Sequence, residues 1–305
     1  LVSSLSVSTL ALQYGTELDE SQWVSESSPF VCRLEHYIEG YGTGSFVHHA
    51  GELRRLELDG QGILFSPSEV EVIAEPPTWR PKYLSTGLTK VGPENGEIQL
   101  DEKVSSEVAT QLLNGMMVSF RGKLRNNKAQ DLKVKLNTVG FRQAFDSFAV
   151  CEDGLLPGNL AQLERNRIQY KSGQLELDPG AKRLLNKIAK FLHVDTTVKQ
   201  IFIDGHTDDA GRIKDNVAMS QQRAELVREQ LVSLGVAPSM LVVRYHAEKY
   251  PVVNNKNAAN RAKNRRTTIR LSRTYEEQIP APRDEPAVED ATAVATADGA
   301  DAEAG

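Results

Sequence analysis

The sequence predicts an α+β protein in two parts. A β-rich N-terminal barrel or sandwich comes first, then an α/β sandwich running β-α-β-α-β-β, with a mixed sheet and helices on one face. Three observations lead there. The chain has 305 residues, 40% of them hydrophobic and 25% charged, which suffices for a sizeable core in two domains. Up to about residue 155 the apolar residues fall mainly in short alternating runs broken by turns. Beyond that point long stretches with helical spacing take turns with short β-rich runs, the mark of an α/β layer structure.

Leu1 to Ala11 is small and apolar and ends near an alanine, which reads as the remnant of a signal peptide; a flexible or β-forming terminus is the alternative. Residues 12–155 form the expected β-rich domain. Phe30–Glu35 and Leu53–Leu58 are half-alternating runs, and Val70–Ile73 and Leu132–Leu136 alternate cleanly, as half-buried strands do. A helix is expected from Asp101 to Leu113, capped by Asp101, with Val104, Val108 and Leu112 on one stripe. A second, Phe141 to Val150, carries Cys151 back toward the first strands. Cys32 and Cys151 are the two cysteines, an even count that suggests one disulfide in an exported chain; in the cytosol they would read as two buried thiols.

Residues 156–275 form the second expected domain. Arg167–Tyr170 is a short strand, and Asp178-Pro179 opens a helix with a cap followed by proline at the first helical position. Its Leu184, Leu185, Ile188, Phe191 and Leu192 recur at helical spacing. Val198–Ile203 is a strand, Asn216–Leu234 a long helix closed by Gly235, and Leu241–Tyr245 and Thr267–Leu271 complete the order. From Glu276 to Gly305 the chain turns to Ala, Pro, Asp and Glu, a composition too poor in large apolar side chains to order itself.

Charge narrows the function classes. The net charge is −5, which argues against a general nucleic-acid binder. It is uneven: nine acids and one base from Glu276 onward give −8, leaving the rest of the chain at +3. No apolar run is long enough to span a bilayer. No cysteine follows the signal-like segment, which argues against a lipid anchor. The six histidines are scattered, and adjacent His48 and His49 are poorly spaced for one metal, so no metal site and no cofactor are expected.

The most informative residues are Asp208, in the run Gly205-His206-Thr207-Asp208-Asp209-Ala210-Gly211, and Arg223 on the helix that follows. A carboxylate can take an ammonium, and a guanidinium fork can take a carboxylate in bidentate fashion. A peptide ending in a diamino acid carries both groups. Asn216 is placed to cap the helix, and Ser220 and Arg223, three apart, share a face. Each charged hydrogen bond contributes about 1.5–3 kcal/mol, so two or three support micromolar-class binding of a small fragment once ordering costs are subtracted. The plainer reading is a turn-capping Asp with an Arg that pairs to it.

Thr207-Asp208-x-x-Gly211, then Asn216-x-x-Met219-Ser220-x-x-Arg223-Ala224, then Asn264-Arg265-Arg266 resembles, in order and spacing, the OmpA-like peptidoglycan-binding family. That resemblance implies a site for the diaminopimelate-containing stem peptide at Thr207, Asp208, Asn216, Ser220, Arg223, Asn264 and Arg265, with Arg266 in a supporting ion pair. One departure stands out: the family's Gly-x-Gly after the next strand is Tyr245-His246-Ala247 here, and Asn260 replaces a further glycine.

In the first half, Glu75-Pro76-Pro77-Thr78-Trp79-Arg80-Pro81 is a stiff, extended segment that presents an indole, either packed on its own sheet or offered to a partner. Trp79 and Arg80 are the candidate partner-binding residues. With the Cys32…Cys151 spacing and Ser21-Gln22-Trp23, this stretch resembles the MotY family of sodium-driven flagellar motor proteins, from about Tyr14 to Ser272. The resemblance implies a periplasmic protein at the flagellar basal body whose N-terminal domain joins the T ring and binds a MotX-like ring protein and the stator complex, while the C-terminal domain grips the wall. A generic envelope tether to peptidoglycan, with no motor role, is the competing reading. An ion-conducting stator subunit would need a membrane helix. A wall hydrolase would need a nucleophile beside its base, and no such pairing or metal spacing is legible, so the protein is not expected to be an enzyme.

Overall fold

Alternation builds the first half. In the computed structural model, which describes residues 11–276, every second residue of Val31–Ile38 from Cys32 onward is buried, as are Leu132, Val134 and Leu136 of Asn127–Leu136. Ten strands and two helices follow in order: β1 (Leu12–Tyr14), β2 (Trp23–Ser27), β3 (Val31–Ile38), β4 (Gly42–His49), β5 (Arg55–Asp59), β6 (Val70–Glu75), β7 (Thr86–Val91), β8 (Ile98–Leu100), α1 (Glu102–Leu113), β9 (Met117–Leu124), β10 (Asn127–Leu136) and α2 (Phe141–Gly154). They form two five-stranded sheets, β1-β10-β9-β6-β7 and β2-β3-β4-β5-β8. One apolar cluster joins Leu34, Phe46 and Leu56 of the second sheet to Val72, Phe120 and Val134 of the first. The expected barrel or sandwich is therefore an open two-sheet arrangement, with no closed barrel among the described residues. The signal-like residues 1–10 and the acidic segment from Glu277 lie outside the described residues.

The two helices pack against this core. Asp101 caps α1, accepting from Val104 N at 2.9 Å, and Val108 and Leu112 are buried beneath the helix. The helix α2 runs four residues past the expected Val150, to Gly154, and carries Cys151 to Cys32; the disulfide forms with Cα atoms 5.9 Å apart.

The second half contains α3 (Leu160–Leu163), β11 (Arg165–Gln169), α4 (Pro179–Val194), β12 (Gln200–His206), α5 (Ile213–Ser233), β13 (Leu241–Tyr245), α6 (Ala258–Asn264) and β14 (Arg266–Ser272). The sheet order is β11-β14-β12-β13, with β12 antiparallel to β14 and parallel to β13. That is the expected mixed sheet, with α4 and α5 on one face burying Leu185, Ile188, Phe191, Ala224, Val227 and Leu231 against Ile201, Ile203, Ile269 and Leu271. Asp178 caps α4, accepting from Ala181 N. The short α6, capped by Asn257, is additional to the β-α-β-α-β-β order.

The halves are joined closely. Ala50, in the turn after β4, is fully buried and belongs to the second core. Phe30, expected inside a strand, sits just before β3 and meets Phe191 edge-on at 6.1 Å. Leu156 N donates to Pro29 O at 3.0 Å, and Gln162 Nε2 donates to Gly51 O at 2.8 Å.

Candidate functional site

The central position of β12 decides what happens at its C-terminal end. Flanked on both sides, the strand delivers His206, Thr207 and Asp208 into a buried corner between α5 and the turn after β13. The approach is close enough to demand Gly205, since a Cβ there would lie 2.0 Å from Ser220 O. Thr207 N donates to Ala247 O at 2.8 Å, and Ala247 N donates to Ser220 Oγ at 3.2 Å. Strand, helix and turn are thus stitched at one point.

Arg223 is 1% exposed. Its Nε and Nη2 donate to Gln174 O at 3.2 and 3.1 Å, with longer contacts at 3.5 Å to Lys171 O and His206 O. The guanidinium carbon lies 4.7 Å from the centre of the Tyr170 ring. Burial pulls the Arg223 pKa down, Tyr170 opposes this, Arg265 adds to it, and Asp208 opposes it. The group stays a cation at any ordinary pH. No carboxylate lies within ion-pair distance of it among the described residues.

Asp208, 6% exposed, is paired instead with Arg265, whose Nη1 donates to Oδ2 at 2.7 Å while its Nε donates to Tyr170 O. Arg265 thus takes the Asp208 carboxylate, and Arg223 is left with carbonyl partners only. A buried guanidinium without a counter-ion is costly, so this position favours a ligand that carries a carboxylate. Thr207 Oγ1, also buried there, has no hydrogen-bond partner among the described residues.

The other expected site residues divide. Asn216 does not cap α5: the helix starts three residues earlier, after Arg212, which pairs with Asp215. Asp215 in the first turn suits the helix dipole, and no side chain caps this start. Asn216 Nδ2 instead bridges Asp208 O at 3.3 Å and Glu248 Oε2 at 2.9 Å. Ser220 ties α5 to the turn. Asn264 is fully buried, accepts from Val252 N and Val253 N, and donates to Val253 O and Asn255 Oδ1, so it holds the loop before α6. Arg266, expected in an ion pair, donates to the carbonyls of Asn264 and Tyr250. Trp79 and Arg80 stand well apart, between β6 and β7. Trp79 is 51% exposed, and Arg80 Nη1 donates to Asn114 O at 2.8 Å.

The two side chains at expected glycine positions behave differently. Tyr245 points outward, 40% exposed, whereas Ala247 is buried and keeps the left-handed backbone that glycine would favour, with φ at 48°. Three contributors to the corner escaped the sequence reading. Tyr170 and the 171–174 carbonyls act through a ring face and main-chain atoms, which leave no side-chain pattern. Glu248 was signalled only by its place in the turn. Beside them, His206 and His246 stack at 5.0 Å. Burial, helped by Arg266 and His246, drops the His206 pKa to about 4, so the ring is neutral at neutral pH.

Comparison with known proteins adds a second line. Residues 14–157 match the MotY N-terminal domain family and residues 169–265 match the OmpA family. The sodium-type flagellar protein MotY of Vibrio parahaemolyticus is 25% identical over 281 residues, covering 90% of this chain and 95% of that protein. A peptidoglycan-associated lipoprotein of Pseudomonas putida is 30% identical over 118 residues, 39% of this chain and 70% of its own length. Among solved structures, the peptidoglycan-associated lipoprotein from Burkholderia pseudomallei aligns at 27% identity with a TM-score of 0.34, over 35% of this chain and 89% of that one.

Proposed function

This chain belongs to the OmpA family and carries a MotY N-terminal domain ahead of its OmpA domain, and from that premise we propose that it is a periplasmic structural component of the flagellar motor that anchors stator units to peptidoglycan. The observation that carries the wall-binding half is Arg223, a buried guanidinium with carbonyl neighbours and no carboxylate partner among the described residues. It receives the carboxylate of a diaminopimelate-containing stem peptide, and the ligand ammonium meets Asp208 as that residue shares its charge with Arg265. Asn216 and Thr207 line the same corner, while Ser220 and Asn264 hold its walls. The N-terminal domain binds a MotX-like ring protein and the stator complex, with the exposed Trp79 as one anchor. Several such clamps around a ring gain from multivalency, so moderate affinity per site suffices. Both matched families are of structural proteins, and the site's chemistry is that of binding rather than bond breaking.

Co-sedimentation with isolated sacculi tests the wall half. Wild type is expected to pellet, and Arg223→Ala and Asp208→Asn to stay in solution while keeping the wild-type circular dichroism. Equal pelleting of all three would overturn the clamp. The motor half is tested separately by swimming of a deletion strain: loss of swimming with normal envelope integrity supports it, and intact swimming would favour the generic tether.

A further inference from the structure

The C-terminal sheet has two faces, and only one is covered by helices. Ile203 and Ile269 point to α4 and α5, so their neighbours along the strands point the other way. Register places Arg165, Arg270, Phe202 and Val242 in one row across the sheet, and Arg167, Thr268, Asp204 and Arg244 in the next. Four guanidiniums thus share these two rows with one carboxylate, Asp204, while Glu164 borders them beside Arg165. Phe202 lies between two of them, its ring centre 4.3 Å from the guanidinium carbon of Arg270 and 4.6 Å from that of Arg244. Asp204 is already engaged by Arg244 in a two-point ion pair and by His246. Arg165 and Arg167 remain exposed, and among the described residues the one ion pair that either makes is Arg165 with Glu164, at 4.0 Å. A face with this excess of fixed cations attracts an anionic cover.

The first residue of that cover is in place. Glu276 grips Arg270 at 2.5 and 2.7 Å, accepts from Ser272 Oγ at 2.9 Å, and donates its backbone N–H to Gln200 Oε1 at 2.7 Å. Its carboxylate is the leading member of an acidic segment: from Glu277 onward the chain has eight further acids and one base, Arg283. Length poses no obstacle. At about 3.3 Å per extended residue, Asp284 can reach roughly 26 Å from Glu276, whereas four strands about 4.8 Å apart span only about 15 Å.

We propose that the chain's own acidic segment, residues 277–303, docks across the arginine-lined open face of the C-terminal sheet, entering at the Glu276–Arg270 seat. The cover is electrostatic: each exposed pair is weak, tethering supplies a high effective concentration, and added salt releases it.

The test uses the full chain with Ala293→Cys carrying a nitroxide, the native disulfide being left oxidised so that only the new thiol reacts. Backbone amide signals of β11, β13 and β14 are expected to lose intensity at low salt and to recover at about 0.5 M, where the screening length shrinks to a few ångströms. Arg165→Glu with Arg167→Glu should abolish the loss, and Arg165→Gln with Arg167→Gln should weaken it. Both pairs are exposed, and preserved chemical-shift dispersion elsewhere shows that the fold is kept. Undiminished signals on the sheet at low salt would overturn the proposal, as would losses unaffected by charge reversal. Losses that grow with protein concentration would also overturn it, placing the segment on a neighbouring molecule.

Discussion

At the residue scale, the corner around Arg223 is built from groups that hold one another. Asn264 illustrates the first task. Its amide satisfies two backbone N–H groups and a carbonyl of the loop before α6, so Asn264→Ala strands buried polar atoms and should destabilise the C-terminal half by about 3 kcal/mol, read from its urea midpoint. His206 gives a pH signature. Its pKa in the fold is about 4, against 6.5 when unfolded. The unfolded state therefore takes up the proton first, and the stability is complete above pH 6.5 and lost progressively as pH falls toward about 4. Urea midpoints of the C-terminal half across that window should fall with pH, and His206→Gln should flatten the dependence. Sequence alone located Asp208, Arg223 and Arg265 because their spacing in three motifs is a side-chain code. It could not pair Asp208 with Arg265, because that contact depends on where β14 starts relative to the end of β12.

At the element scale, periodic segments were legible and irregular ones were not. The stripe of α1, the Asp178-Pro179 start of α4 and the alternation of β10 each record a buried face directly in the residue order. The seven-residue α6 has no apolar stripe and sits in an asparagine-rich run, so nothing marked it. Barrel and sandwich stayed open because alternation shows that a strand is half-buried but not how two sheets close. The helix α2 depends on more than its own pattern. It opens after Gly140, which has φ at 75°, without a side-chain cap, and the Cys151–Cys32 bond fastens its far end to β3. That bond closes a loop with a sequence separation of 119 residues. Loop-closure entropy for such a length contributes about 4–5 kcal/mol at most. Reduction, or Cys32→Ser with Cys151→Ser, should lower the unfolding midpoint of the N-terminal half and leave that of the C-terminal half nearly unchanged in a two-transition urea curve.

At the scale of the whole molecule, the seam between the halves is what no local pattern announced. Ala50 lies in an N-terminal turn yet is buried in the C-terminal core, and Phe30 meets Phe191 across the same seam. Ala50→Glu places a charge there and should separate the halves: the radius of gyration from small-angle scattering should rise while each half keeps its own amide dispersion. The seam also fixes where the second sheet is held. The chain enters β11 at Arg165, level with Arg270, whereas the Asp208–Arg223 corner lies at the opposite end of the strands, level with Gln169, Arg266 and His206. Traction between the two ends therefore runs along the strands and across their hydrogen bonds. In that shear geometry the five residue pairs of the β11–β14 ladder resist together, instead of peeling one after another. A protein stretched between its N-terminal half and a bound wall fragment would yield at a higher force than one stretched across the sheet edge.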